Sequence, residues 1–448
     1  IFSLLYTGFR AISTMRGDHA RVPASPRTLR RIRSRARPLA DVAGIIVFRQ
    51  ISSNIQNFVY NYNPNDYNRG RYCFFWDFAH RFAGLHHRRK GGFPESAMKR
   101  ALQLASAFVG VIIGAGFASG REIVQYFTSF GIRGTAGAVL AAALFAFLGM
   151  SLMRIGSRLR ARSHKEAVCA VSGRFLGALI DWIIVLTLFG VGVVMIAGAG
   201  SNLEQEFGVP FYAGAILMTV LVYLTALLNL ERFVLVIGGI TPLLILFVVI
   251  VSVYTMATWN APIAELHETA RQLPTTLPNW WVSAVNYVSF NIALAASMAL
   301  VMGGSEPDAR TAALGGLMGG LGVGVLILLC HLSILSRAGQ AAALDMPMLK
   351  IVGDLSPVLG TLYAVVLFGM IFNTAAGMFF PFAVRFAARN TPAFRIVLAV
   401  TMAAAMGLSL FGFSYLVGYL YPLIGYLGLF LIAVLIFDFV RFAVKRNP

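Results

Sequence analysis

The apolar residues of this chain fall into long uninterrupted blocks between residue 98 and the C-terminal region. Each block is roughly 20 residues long, and at a rise of about 1.5 Å per residue a helix of that length crosses a hydrocarbon core about 30 Å thick. The pattern predicts an all-α membrane protein of ten transmembrane helices. The predicted spans are residues 101–128, 133–153, 178–201, 210–229, 233–257, 281–302, 311–335, 358–384, 394–412 and 416–440.

The composition excludes an ordinary soluble domain. The chain is 58% hydrophobic and only 12% charged, with a mean hydropathy of +0.74. Soluble domains carry about 25% charged residues. Half that number leaves too few solvating groups to cover a water-facing surface, so the lipid bilayer is the expected environment.

The basic residues predict the orientation of the spans. With the N-terminal side in the cytoplasm, the cytoplasmic segments carry 16 Lys and Arg and the opposite side carries four. Such a bias is typical of bacterial inner-membrane proteins. We therefore expect a multi-pass inner-membrane protein with both termini cytoplasmic. The net charge of +19 indicates topology and not nucleic-acid binding. The four outer basic residues are Arg133, Arg271, Arg337 and Lys350.

Residues 1–97 differ from the rest of the chain. They hold 16 Lys and Arg against 5 Asp and Glu, contain no apolar run of 18 residues, and lack the ordered regions of a secretory signal. We predict a poorly ordered or non-native extension, followed by a transmembrane domain over residues 98–448. The alternative is a basic cytoplasmic tail that touches anionic lipid.

The first predicted span contains four glycines, Gly110, Gly114, Gly116 and Gly120, followed at once by Arg121 and Glu122. Each glycine costs about 1 kcal/mol of helix propensity relative to alanine, and a charge at membrane depth costs roughly 3 kcal/mol more. Small residues can serve close helix packing, but that does not explain the charged pair. We predict a discontinuous helix, because its freed carbonyls can coordinate a cation and its freed amides can receive a carboxylate.

The sixth and eighth predicted spans also carry polar groups inside apolar sequence. The sixth contains the stretch Tyr287–Asn291, and the eighth contains Asn373 and Thr374. Spans one and six occupy matching positions in two five-helix halves, an arrangement that marks the binding site in many transporters. The hydroxyl of Thr374 suits a sodium ion, although a bond to its own helix is an equally common role.

Glu122 is the candidate for proton or charge coupling, since an ionisable group at that depth is functional by default. The chain shows no Ser–His pair, paired carboxylates or metal-ligand spacing, so an enzyme is not expected. Its three cysteines have no metal or disulfide pattern and are interpreted as ordinary thiols. No organic cofactor or metal centre is expected.

The string VIIGAGFASGREIVQ at residues 111–125 resembles the first helix of the YkvI-type bacterial membrane proteins, and the YVSFN stretch at 287–291 is similar to their sixth helix. That family resembles the amino acid/polyamine/organocation superfamily, which has the five-plus-five inverted repeat of the sodium-coupled leucine transporters. The resemblance implies a solute site lined by Gly114, Ala115, Gly116, Ala118, Ser119, Tyr287, Ser289, Phe290 and Asn291. It implies a sodium site formed by carbonyls near Val111 and Gly114 together with Asn373 and Thr374.

The sequence as a whole predicts a secondary transporter of a small solute, amino acid or amine-like, that works by alternating access around discontinuous helices 1 and 6. Sodium or protons are the expected coupling ions. The alternative is a sensor or receptor that keeps the same fold and binds a solute without moving it. The sequence indicates neither the solute nor the oligomeric state.

Overall fold

The computed structural model describes residues 95–161, 164–227, 240–259, 261–389 and 391–445. Residues 1–94, which make up nearly all of the predicted N-terminal extension, lie outside these ranges. Side chains of the long helix that begins at His164 are described from Trp182 onward, and those of the last helix only at a few positions beyond Phe430.

All regular secondary structure within the described ranges is helical. The first predicted span corresponds to α1 (Glu95–Ile112), α2 (Ala115–Ser119) and α3 (Arg121–Tyr126), which a short 3-10 turn at Thr128–Phe130 follows. The remaining helices are α4 (Ile132–Leu159), α5 (His164–Phe207), α6 (Phe211–Leu227), α7 (Ile240–Ala257), α8 (Ile263–Arg271), α9 (Trp280–Ser305), α10 (Ala309–Leu335), α11 (Ala338–Ala341), α12 (Pro347–Leu355), α13 (Pro357–Phe386), α14 (Pro392–Ser409) and α15 (Phe413–Lys445).

Six stretches of helix within the described ranges are long and apolar enough to cross a membrane, and a bent pair within α9 gives a seventh. Two shorter apolar helices, Phe211–Leu227 and Pro242–Ala257, accompany them. The chain is therefore a multi-pass helical membrane protein. The six are Ile132–Leu159, Trp182–Phe207, Ala309–Leu335, Pro357–Phe386, Pro392–Ser409 and Phe413–Phe430.

Glycines bring α1, α4, α9 and α10 into one closely packed group. A Cβ built on Gly149 of α4 would lie 2.7 Å from the carbonyl oxygen of Gly316 in α10, and a Cβ on Gly319 would lie 3.0 Å from Phe108 of α1. A Cβ on Gly303 of α9 would overlap the Met153 carbonyl of α4. Small residues permit such backbone contact in a membrane, where dispersion and polar contacts replace the hydrophobic effect.

A second set of contacts joins α5 to α13, α14 and α15. Gly192 of α5 faces the ring of Phe379 in α13, and Gly190 faces Leu420 and Ile424 in α15. The side-chain amide of Asn202 donates to the Ala364 carbonyl of α13 at 3.0 Å.

Two long segments that connect predicted spans contain short helices. Residues 258–280 contain α8, and residues 337–357 contain α11 and α12. Pro347 opens α12, where its missing amide hydrogen costs nothing. Leu349 and Val352 of α12 are buried, and Lys350 and Asp354 are exposed.

Glu306, at the end of α9, links three helices. Its carboxylate pairs with Arg100 Nε of α1 at 3.3 Å, and its carbonyl accepts from the Ser157 hydroxyl of α4 at 2.7 Å. Asp308 caps α10 by accepting from the amides of Arg310 and Thr311. The hydrogen bond from the Thr311 hydroxyl lowers the pKa of the Asp308 carboxyl below its usual value.

The α4–α10 contact contains a glycine that the fold should tolerate poorly as alanine. A Cβ on Gly316 would overlap the Gly149 carbonyl, and backbone cannot move aside as a side-chain tip can. We expect Gly316→Ala to lower the thermal unfolding midpoint of the purified protein, at a cost of about 1–3 kcal/mol. Gly407→Ala is the matched control, because no atom lies within 4 Å of a Cβ built there. Equal midpoints for the two variants would show that the α4–α10 contact is not close.

Candidate functional site

The backbone leaves helical geometry between α1 and α2. The last helical hydrogen bond of α1 runs from the Ile113 amide to the Val109 carbonyl at 2.8 Å. Gly114 then has φ −105° and ψ −170°, which is extended backbone. Helical hydrogen bonding resumes with the Ala118 amide, which donates to the Gly114 carbonyl at 3.1 Å. The peptide groups around Gly114 are thus released from the continuous ladder of a straight helix.

A second change of direction occurs at Gly120, between α2 and α3. Gly120 has φ 83°, a left-handed conformation that glycine adopts without strain. Its amide donates to the Phe117 carbonyl at 3.0 Å, and its carbonyl accepts from Val124 at 3.0 Å. A Cβ at this position would also lie 2.8 Å from Met348 of α12, so both conformation and space require glycine here.

Neighbouring hydroxyl groups satisfy part of this irregular backbone. The Ser119 hydroxyl donates to the Gly116 carbonyl at 2.7 Å and accepts from the Arg121 amide at 3.1 Å. The Tyr363 hydroxyl of α13 donates to the Ala118 carbonyl at 2.5 Å. Because unpaired peptide groups are costly in a membrane interior, these hydroxyls stabilise the interruption.

Glu122 lies at this interruption and is 5% exposed. The Tyr287 hydroxyl of α9 donates to its Oε2 at 3.3 Å. The carboxyl group of Glu122 packs against α2. A Cβ on Gly116 would overlap Oε1, so this position has no room for a side chain. The structure therefore brings one carboxyl group, the first predicted span and the sixth predicted span together at one point.

Aromatic rings surround the Tyr287 side of this point. The ring centroid of Tyr287 lies 4.9 Å from that of Tyr126, 5.1 Å from that of Phe127 and 6.1 Å from that of Phe145. Tyr287 and Tyr126 are fully buried. A buried carboxyl beside several ring faces can hold a positively charged group, by ion pairing and by cation–π attraction.

Arg121, next along the chain, points the other way. Its Nη1 donates to the carbonyls of Ala342 and Leu344, at 3.1 and 3.4 Å, in the segment between α11 and α12. It is 6% exposed, and its Nε has no hydrogen-bond partner among the described residues. The adjacent Asp345 accepts from the hydroxyls of Ser201 and Ser414. The charged pair of the sequence is thus divided between the outer segment and the membrane interior.

The other predicted solute residues of α9 have identified contacts outside α2. The Ser289 hydroxyl donates to the Gly425 carbonyl of α15 at 2.6 Å, and the Phe290 ring stacks on Tyr421 at 4.3 Å. Asn291 donates to the Tyr287 carbonyl one turn earlier at 3.0 Å. The structure places Ser289 and Phe290 against α15, while Tyr287 alone of this stretch contacts Glu122.

The polar stretch of α9 remains helical, and the bend comes after it. Trp280–Ala296 and Met298–Ser305 meet at 56°. Two polar side chains of this region bond to carbonyls of α15: Asn286 donates to Pro422 at 3.0 Å, and Ser289 donates to Gly425 at 2.6 Å. Side-chain hydrogen bonding to a neighbouring helix thus satisfies these groups without local unwinding.

The residues predicted to hold sodium lie at two neighbouring elements. Val111 is half-buried near the end of α1, and a Cβ on Gly114 would lie 3.9 Å from the Thr374 hydroxyl of α13. Thr374 donates to the Met370 carbonyl at 2.9 Å, which is the bond back to its own helix. Asn373 is half-buried beside it. The described residues contain no group of three His, Cys, Asp or Glu side chains that could hold a metal ion.

One polar cluster was not predicted from the sequence. Pro422 has no amide hydrogen, so the Gly418 carbonyl one turn earlier lacks its helical donor. That carbonyl accepts from the Thr276 hydroxyl at 2.5 Å and from Gln125 Nε2 at 3.3 Å. The position of Pro422 four residues after Gly418 was the available signal, but its partners are more than 140 residues away in sequence.

The close contact between the Glu122 carboxyl group and Gly116 can be tested by substitution. We expect Gly116→Ala to lower the thermal unfolding midpoint, because the added methyl displaces Glu122 from Tyr287. Adding Glu122→Ala to this variant removes the overlap, so the two changes together should cost less than their sum. Gly114→Ala is the control, since its Cβ meets only ordinary contact distances. Strictly additive losses would mean that Glu122 does not lie over Gly116.

Comparisons with known proteins find similarity to two proteins of Bacillus subtilis. No family model matches it. It is 28% identical over 342 residues to the uncharacterized membrane protein YkvI of Bacillus subtilis, an alignment that covers 76% of this chain and 97% of YkvI. It is 24% identical over 333 residues to the uncharacterized protein YyaD of the same organism, with 73% of this chain and 94% of YyaD covered.

Among solved structures, the inward facing conformation of Mhp1 overlaps 73% of each chain at 15% identity, with a TM-score of 0.48. The alignment with YkvI spans nearly the whole of that protein. The predicted resemblance to YkvI-type bacterial membrane proteins is confirmed, and this chain is a multi-pass membrane protein similar in sequence to YkvI.

Proposed function

We propose that this chain is a secondary active transporter of a small solute, amino acid or amine-like, driven by a proton or sodium gradient. The observation that carries the proposal is the Glu122 carboxyl, which is buried where the first span is interrupted and is hydrogen-bonded to Tyr287 of α9. An ionisable group at this depth is costly and is retained where it serves ion or solute movement.

The proposed architecture is ten spans in a five-plus-five inverted repeat in the bacterial inner membrane, with both termini cytoplasmic. In it, α1 to α3 form the discontinuous first helix and the bent α9 forms the sixth. Released peptide groups near Gly114 and the Glu122 carboxyl form the site near the midplane. The aromatic rings around Tyr287 favour the amino group of a solute as the part that contacts Glu122.

Both ends of this site are covered, as alternating access requires of an occluded state. On the outer side, Met348 of α12 lies against Gly120, and Arg121 binds the carbonyls that precede α12. On the cytoplasmic side, Arg100 and Glu306 join α1 to the α9–α10 connection. We propose that α1, α4, α9 and α10 move as one group against α5, α13 and α14. This movement would break the outer contacts of Met348 and Arg121 and the Arg100–Glu306 pair alternately, and so expose the site to one side at a time.

Coupling to protons is assigned to Glu122, and coupling to sodium to the region of Gly114 and Thr374. Glu122 gains or loses a proton as the site changes sides, and the Tyr287 hydroxyl stabilises its charged form. Sodium would be held by backbone carbonyls and the Thr374 hydroxyl, which are the oxygen ligands that hard cations prefer. The two assignments predict different responses to substitution.

The test begins with a thermal-shift screen of amino acids and amines, with and without sodium, which supplies the solute for uptake assays in proteoliposomes. We expect Glu122→Gln to reduce gradient-driven accumulation at least about tenfold, because the amide cannot exchange a proton, while solute exchange across the membrane persists. Glu268→Gln, an exposed carboxyl of α8, is the matched control and should leave accumulation unchanged.

Three other outcomes have definite meanings. Unchanged accumulation and pH dependence in Glu122→Gln removes Glu122 from coupling. Sodium-dependent stabilisation that survives Glu122→Gln assigns coupling to the Thr374 side. Saturable binding with no flux of labelled solute in the wild type contradicts transport and supports the sensor that shares this architecture.

A further inference from the structure

A cleft of about 570 Å³ opens near the predicted outer face, away from Glu122. It lies between the end of α7, the connection after α10, and the exposed face of α12. Small-molecule sites typically measure about 300–1,000 Å³, so its size suits a compact solute. The lining residues are Tyr254, Arg337, Gln340, Lys350, Ile351 and Asp354.

The cleft is lined by basic side chains, which are rare on the predicted outer side of the membrane domain. Only four Lys or Arg residues lie on the predicted outer side of the membrane domain, and two of them, Arg337 and Lys350, line this one cleft. Asp354 is the acidic lining residue and forms an ion pair with Lys350 one turn earlier on α12. The lining therefore has one positive charge in excess.

Arg337 is positioned to contribute that excess charge. Its Nη2 donates to the Thr258 hydroxyl just beyond α7 at 2.8 Å, which fixes one edge of the guanidinium group. The residue is half-buried, so part of its planar donor set faces the cleft. A guanidinium group can donate two parallel hydrogen bonds to a carboxylate. Because Thr258 already holds the Arg337 side chain, that side chain loses less conformational freedom when a ligand binds.

The rest of the lining suits a short carbon chain with a polar end. Ile351 is 3% exposed and forms an apolar wall, and Tyr254 adds part of an aromatic ring. Gln340 supplies a neutral donor and acceptor beside the charged groups. Such a mixture of apolar surface and a few placed polar groups is characteristic of a ligand site.

We propose that this outer cleft binds a small carboxylate-bearing solute, with Arg337 as the group that receives the carboxylate. The site is separate from the one around Glu122. The helix that carries Lys350 and Ile351 on the cleft side also places Met348 against Gly120. The same helix therefore contacts both the cleft and the interrupted first span.

The test uses two five-carbon probes of equal length, glutarate with two carboxylates and cadaverine with two amines, titrated calorimetrically into the full chain in detergent. We expect saturable binding of glutarate and none of cadaverine. Arg337→Gln should weaken glutarate binding at least about tenfold, because it removes the charge and the paired donors that a carboxylate accepts from. Arg271→Gln, another outer basic residue, is the control and should bind glutarate as the wild type does.

Two results overturn the proposal: the absence of saturable glutarate binding to the wild type, or an equal loss in Arg337→Gln and Arg271→Gln, which indicates a general charge effect. Glu122→Gln separates this site from the proposed transport site. Glutarate binding that persists in Glu122→Gln supports an independent cleft. Its loss in Glu122→Gln would assign the binding to the membrane interior and contradict the proposal.

Discussion

The membrane interior offers no water to hydrogen-bond with free peptide groups, and this constraint determines how the chain is built around residues 113–120. Where the backbone turns extended at Gly114 and left-handed at Gly120, other groups have to satisfy what the helix releases. Ser119 does so locally, and Tyr363 does so from α13. The interruption therefore depends on contacts with distant helices, and any movement of α13 relative to α2 changes the hydrogen bonding of this backbone.

The division of Arg121 and Glu122 follows from the same turn. Successive residues at the start of α3 point in different directions, so one side chain reaches the carbonyls before α12 and the other folds against Gly116. They are neighbours in sequence, but the outer segment and the interior of the bundle each receive one charge. A rotation of α3 would move both groups together, which is a physical route by which the outer cover and the state of the carboxyl become linked.

Part of this arrangement was predictable from sequence because it rests on local chemistry. The glycines of the first span indicated a departure from helical backbone. The apolar blocks indicated a multi-pass membrane protein. These signals depend on residue type and spacing within a few turns of one segment, so they survive without knowledge of neighbours.

The contacts of individual side chains were less predictable, because a helix that is apolar on all sides carries no signal of which face meets which neighbour. Ser289 and Phe290 lie against α15, and Tyr363 bonds to Ala118, 245 residues away in the chain. Gln125 and Thr276 meet at a carbonyl that Pro422 leaves without a helical donor. Each of these contacts depends on the packing of distant segments and on no pattern within one segment.

Accessibility of residue 114 from the two sides of the membrane tests the central claim most directly. Gly114→Cys, which has room for a side chain, would be introduced with the three native cysteines replaced by serine and labelled in proteoliposomes with a membrane-impermeant thiol reagent. The account predicts labelling from one side at a time, with the reactive side reversed by an imposed proton or sodium gradient together with solute. Labelling from a single side under every condition, or from neither, would contradict a site of alternating access at the interruption.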